Sequence, residues 1–187
     1  MEYLGSAMLM HAATGLGVLQ KPLRDLYFQY QQSGSRQGTL QERHLTMTSS
    51  GVNMVFKDSR ASPTQEVFYP MPSILFWDAV QYVTVRGQDK KVRGAFEPLD
   101  NDHSRNKDNL FVVLEKKYHF LQQRSHPSIF TCVLRRTSGL KALDVHAFIC
   151  SSDEEAIGLV HALNAVQSTY TSEQVSETGV FGYNPFG

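Results

Sequence analysis

Asp100, Asp102, Ser104, Asn106 and Asp108 place oxygen donors at alternate positions, as a calcium loop does when it draws its ligands from every second residue. The pattern fails where that chemistry is most demanding. Arg105 stands where the loop needs glycine for its sharp turn and Phe111 where it needs a bidentate glutamate, so a solvated loop is expected. Gly15 and Gly17 open a G-x-G-x-x-G phosphate cradle, but Gln20 takes the place of the third glycine and no G-K-S/T motif follows. The histidines include no H-E-x-x-H pair; His103, His119, His126, His146 and His161 are scattered over loops, strand and helix. Cys132 and Cys150 are the only cysteines, and either would act as a nucleophile only if folding brought a base beside it. Both stand in apolar runs without a C-x-x-C partner, which predicts two buried, inert thiols rather than a disulfide. No coherent nucleophile, metal or phosphate-binding set emerges, so neither an enzyme nor a cofactor is expected.

The elements that must position any site are most legible from Ser128 to Tyr170. Ser128–Arg136 and Asp144–Cys150 are rich in β-branched and aromatic residues, and Thr137-Ser138-Gly139 supplies a turn, which together predict a hairpin. Ile129, Thr131 and Val133 alternate with Phe130, Cys132 and Leu134, so one set is expected to face the core and the other away, and either assignment fits. A helix follows. Ser152 and Glu155 stand in capping-box spacing, and Asp153 and Glu154 suit the positive end of the helix dipole. Ala156, Leu159, Val160, Leu163, Val166 and Tyr170 then form one apolar stripe that must lie on a sheet.

Upstream, Tyr3–His11 reads as a strand and Pro22–Gln32 as a helix, with a loop at Ser33–Gly38. His44–Thr48 and Val52–Asp58 form a hairpin around Ser49-Ser50-Gly51, with Leu45, Met47, Val52, Met54 and Phe56 pointing inward. After a Pro-containing turn from Arg60, Glu66–Tyr69 is a short strand stopped by Pro70 and Pro72, and Ser73–Arg86 a long one. The charges of Gly87–Asn109 predict a polar inserted loop, followed by an extra strand at Leu110–Glu115. Tyr118–Gln123 fits helix or strand. At 187 residues, 41% of them hydrophobic, the chain can build one sizeable core. The expected fold is α+β and mostly antiparallel: residues 1–170 as one domain, with 87–126 as the insertion and 171–187 as a tail.

Tyr3–Ser6 (YLGS), Gly51–Asp58 (GVNMVFKD), Tyr69–Val80 (YPMPSILFWDAV), SIFTCVLRR, DVHAFIC and the closing helix, in this order, resemble a phosphotyrosine-binding domain, also called a phosphotyrosine-interaction domain. The resemblance covers Tyr3 to about Tyr170. It implies a pleckstrin-homology-like β-sandwich of seven antiparallel strands capped by the C-terminal helix, with the N-terminal helix and the inserted loop as additions. It also implies a non-catalytic adaptor that docks an N-P-x-Y-like segment from the cytoplasmic part of a receptor or scaffold protein, in signalling or trafficking. The ligand would add an antiparallel strand to an edge formed by Ser128, Ile129, Phe130, Thr131, Cys132, Val133, Leu134 and Arg135, and proline at Ile129 would remove an edge amide. Leu159, Leu163, Val166 and Tyr170 would form the helix wall. Many members carry Phe near the end of that helix, where this chain has Val166, Gln167 or Tyr170 according to register. Lys21, Arg24, Arg135 and Arg136 are the candidates for holding a phosphate, and independence of phosphotyrosine is favoured.

Eighteen basic residues balance eighteen acidic ones, which argues against nucleic acid as a partner. Related sandwiches bind anionic lipid, for which Lys90, Lys91 and Arg93, with Lys116 and Lys117, are the candidates, diluted by Asp89, Asp100 and Asp102. In the tail, Asn184-Pro185-Phe186 resembles the NPF ligands of EH-domain proteins in endocytic traffic. No apolar run reaches the roughly 18 residues of a membrane span, and Met1–Gly17 lacks a basic leader segment. The expectation is a cytoplasmic chain that works at the inner face of the plasma membrane.

Overall fold

The computed structural model describes residues 1–9, 15–33, 42–57, 65–100 and 108–182. Within them the order is β1 (Glu2–Met8), α1 (Leu16–Ser33), β2 (Glu42–Thr48), β3 (Gly51–Lys57), β4 (Gln65–Pro70), β5 (Ile74–Arg86), β6 (Val92–Pro98), β7 (Val112–Val113), β8 (Ser128–Arg135), β9 (Leu143–Ile149) and α2 (Asp153–Gly182). The architecture is α+β and every strand pairing is antiparallel, in the spatial order β4-β3-β2-β1-β9-β8-β5-β6-β7. One pair alone, Glu2 with Glu42, joins the three-stranded meander β2–β4 to the six-stranded remainder. The meander packs on the same face as α2, because Val52 and Met54 share a core with Ala79, Phe130, Phe148, Ala156 and Leu163. The opposite face is covered by α1, whose Leu19, Leu23 and Tyr27 pack with Val80, Phe96, Ile129, Val133 and Val145.

Local sequence explains most of these elements. The β2–β3 hairpin has the expected register, with Met47 opposite Val52 and Leu45 opposite Met54. In β1 the register skips between Tyr3 and Gly5, and Gly5 adopts a φ of 129°, which glycine reaches without a Cβ penalty, so the YLGS segment is a β-bulge. Pro70 ends β4, an edge strand, where a missing N–H costs no ladder bond. The capping box forms at the start of α2: the Glu155 amide donates to Ser152 Oγ at 3.1 Å, while the Glu155 carboxylate accepts from Ser151 N and Oγ at 2.6 and 2.8 Å. Burial opposes charge on Glu155, but the two Ser151 donors outweigh it and hold the carboxyl below its ordinary range.

Four expectations need correction. The polar insertion is not a loop throughout, because Val92–Pro98 is a strand in which Val92, Ala95 and Phe96 are buried. Arg93 and Glu97 lie in this strand, while Asp89, Lys90 and Lys91 belong to a tight turn before it, in which the Gly87 amide donates to Lys91 O at 2.9 Å, the Lys90 amide donates to Gly87 O at 3.0 Å, and Lys90 has a φ of 64°. The expected strand at Leu110–Glu115 shrinks to Val112–Val113, and the segment after it, Lys116–Gln123, is 3₁₀ helix. Helix α1 begins at Leu16, before Pro22 rather than at it. Finally, α2 continues to Gly182, so the segment after Tyr170 starts as helix. The loop expected after α1, the turn after β3, Asp102, Ser104 and Asn106, and Asn184-Pro185-Phe186 all lie outside the described residues.

Gln20, which broke the phosphate-cradle spacing, is a structural amide. It is buried, and its side chain pairs like a strand residue with β6: Nε2 donates to Phe96 O at 2.9 Å, and Phe96 N donates to Oε1 at 2.9 Å. That pairing satisfies the outer side of β6 where the two-residue β7 does not reach.

Candidate functional site

Strand addition needs backbone N–H and C=O groups with no neighbour, so the site is found by asking which strand keeps an open side. β8 does not. It pairs with β5 from Ser128 to Leu134 and with β9 from Ile129 to Arg135, and Ser128 to Leu134 are each 5% exposed or less. The expected edge at Ser128–Arg135 is therefore corrected: β8 is a central strand covered on both faces. Ile129 and Val133 lie under α1, Phe130, Cys132 and Leu134 lie under α2 and the meander, and neither set faces away.

Besides the terminal strands β4 and β7, and β1 and β2 past their single shared pair, β5 keeps an open side, and it does so next to α2. This strand of 13 residues outruns its partners: β8 covers its first part, and β6 pairs only Val80–Arg86. Among the described residues Ile74–Asp78 thus has a strand neighbour on one side alone. The alternation of an antiparallel ladder turns the backbone of Trp77 and Ala79 away from β8. The Ala79 carbonyl accepts the Leu99 amide at 2.9 Å, and the Ala79 amide donates to the carboxylate of Asp78 at 2.9 Å, which leaves Trp77 as the exposed rung. A register irregularity between Ile74 and Phe76 bends the strand just before it.

Helix α2 forms the second wall. Trp77 Nε1 donates to Asn164 Oδ1 at 2.8 Å, linking the open rung to the helix. Leu159, Val166 and Tyr170 are half-buried against the shared core, whereas Leu163, at 2% exposure, is a core residue and offers no wall. Asp153, at the head of α2, accepts a hydrogen bond from the Ser128 hydroxyl, which ties the helix start to the start of β8.

The four basic candidates do not converge. Lys21 and Arg24 line a cavity with Tyr82, past the Ser128 end of β8, while Arg135 and Arg136 stand at its other end, roughly 24 Å away at the usual strand rise. Arg136 is already held by Asp144, with Nε and Nη2 donating at 2.7 and 3.0 Å. Arg135 is exposed, one residue beyond the pair Ile74–Leu134, at the near end of the open rung. Among the lipid candidates, Arg93 donates to both oxygens of Asp89 at 3.1 and 2.8 Å and holds that carboxyl at about 2, and Lys117 pairs with Glu115 at 3.5 Å. Cys132 and Cys150 are free and buried, and burial pushes their thiols up to about 12 and about 11, away from the reactive thiolate.

Asp78, Trp77 and Asn164 escaped sequence reasoning as site residues. One signal was present: a strand of this length next to shorter ones must be unpaired along part of one side. Among the described residues no helix is long and apolar enough to cross a membrane. No protein-family model matches the chain, and no curated protein matches it.

Proposed function

We propose that this chain is a non-catalytic peptide-docking module with a pleckstrin-homology-like, phosphotyrosine-binding type of architecture. An extended N-P-x-Y-like segment, from the cytoplasmic part of a receptor or from a scaffold protein, adds as a strand to β5 at Ile74–Asp78 and lies against α2. The observation that carries this reading is a half-paired strand beside a helix whose half-buried apolar residues are still available. Backbone pairing at Trp77 supplies affinity, and contacts with Val166 and Tyr170 supply selectivity. Arg135 is a single unpaired guanidinium near the groove rather than a cluster, so phosphorylation of the ligand tyrosine changes affinity little. The anionic-lipid reading has less support, because Asp89 already neutralises Arg93.

Titration of the chain with phosphorylated and unphosphorylated N-P-x-Y peptides, followed by amide hydrogen exchange, tests this directly. The Trp77 amide is expected to exchange rapidly in the free protein and to slow by at least about tenfold at saturation, while Ile129 and Val133 are slow throughout. Absence of binding across the panel, or saturable binding that leaves Trp77 unprotected, removes the proposal.

A further inference from the structure

Away from the open edge, between α1 and the segment from Val112 to Tyr118, lies a cavity of about 330 Å³. Tyr82 lines it from the β6-paired half of β5. It is 2% exposed overall, and among the described residues its hydroxyl has no hydrogen-bond partner, although the oxygen itself is not sealed from solvent. Its hydroxyl end lies against Gly94, where a Cβ would collide with it. Arg24 lines the same space half-buried, and among the described residues it has no ion-pair partner. The other charges at the rim are matched: Lys21 pairs with Asp25 at 3.1 Å and Glu115 with Lys117 at 3.5 Å. One positive charge is left uncompensated. The apolar wall is aromatic, with the Phe28 and Tyr118 rings 4.7 Å apart between centroids.

We infer that this cavity binds a small organic monoanion, a carboxylate on an aromatic body. The Arg24 guanidinium and the Tyr82 hydroxyl donate to the carboxylate, and the body lies against Phe28 and Tyr118. A planar guanidinium matches a carboxylate in shape, and a single spare positive charge suits one negative charge rather than a multiply charged phosphate. The volume falls at the lower end of ligand pockets, which limits the ligand to a small molecule. Burial pushes the Tyr82 phenol up to about 12 against the opposing pull of Arg24, so the hydroxyl stays a donor at any physiological pH.

The test uses the complete chain with hydrocinnamate, its neutral amide and inorganic phosphate as probes, followed by calorimetry and by NMR shifts at Arg24 and Leu114. Hydrocinnamate is expected to bind saturably with shifts at both residues, and the amide about tenfold more weakly or not at all. Arg24→Gln should weaken hydrocinnamate about tenfold and Tyr82→Phe severalfold. Tyr82→Phe should leave the unfolding midpoint unchanged, since the hydroxyl has no protein partner to lose. Equal affinity for acid and amide, indifference to Arg24→Gln, preference for phosphate, or no binding of hydrocinnamate at millimolar concentration would each overturn the inference. N-P-x-Y binding at Trp77 is independent of all these results.

Discussion

β8 and the first half of β5 are neighbours with much the same apolar composition, and they pair with each other from Ile74 to Gln81. One is sealed and the other is half open. β8 has β9 on its far side and a helix over each face, whereas among the described residues Ile74–Asp78 has no strand on its far side. Composition and alternation identify both as strands, because β propensity reflects fit to a buried pleated surface. Openness depends on something else, the lengths and registers of the strands on either side. Here it results from β6 starting to pair at Val80 and from Leu99 closing the ladder at Ala79.

The largest effect that separates the two strands is expected from proline. Ile129→Pro removes an amide inside a central strand and crowds the α1 core, and should destabilise the fold by about 3 kcal/mol or more, read as the loss of unfolding free energy in urea. Trp77→Phe, by contrast, removes the half-exposed indole bond to Asn164 and should cost only about 1 kcal/mol. If the two variants unfold at similar urea concentrations, β8 is not the sealed strand described here, and strand addition at β5 loses its reason.

The two faces of β8 also differ in chemistry, which gives a second, smaller test. Under α2 and the meander Tyr3 Oη pairs with His146 Nδ1 at 2.9 Å, while beside α1 a longer polar chain runs. Arg124 Nη1 donates to Gln31 Oε1, Gln31 Nε2 to Tyr27 Oη, Tyr27 O–H to His126 Nδ1, and His126 Nε2–H to Leu121 O, over 3.0, 2.8, 2.7 and 2.8 Å. The carbonyl can only accept, so Nε2 carries a proton, and Nδ1 accepts from the Tyr27 hydroxyl in the neutral imidazole. Burial lowers the pKa of His126 below its ordinary value of 6.5. Between that lowered value and 6.5 the unfolded chain binds more protons than the folded one. The His126 contribution to stability is therefore complete above about 6.5 and is lost as pH falls towards the folded-state pKa. Unfolding midpoints measured from pH about 8 to about 5 should fall, and His126→Gln should flatten that fall. An unchanged slope in the variant would mean that His126 is not held neutral by the α1 core.

What the sequence disclosed and what it hid follow from the range of the interactions involved. The β2–β3 hairpin, the Ser152–Glu155 box and the stripe from Ala156 to Tyr170 are local patterns, each specified within a few turns or rungs, and each is present. β6 was hidden because Asp89, Lys90 and Lys91 in the turn, with Arg93 and Glu97 on the strand itself, make the window polar. The continuation of α2 past Tyr170 left no apolar signal, since Thr171 to Val175 are exposed. The groove was misplaced by one strand because edge status is a property of the whole sheet order, and the four basic candidates were grouped although a strand length separates them.

The smallest expected effect concerns the helix that serves both strands. Its first turn is fixed beside β8 by the Ser128–Asp153 bond and by the Ser152 cap, while its half-buried apolar residues lie about two to five turns later, from Leu159 to Tyr170. Ser152→Ala leaves the Glu155 amide without its acceptor and should cost about 1 kcal/mol in unfolding free energy. Ala156 remains fully buried in the core just beyond the cap, so fraying should stop within the first turn. Peptide affinity should then match the wild type under conditions where both proteins are folded, even though the variant unfolds earlier. A parallel loss of affinity would extend the groove back to the Ser128 end of β8 and show that the sealed strand and the open one share a single binding surface through α2.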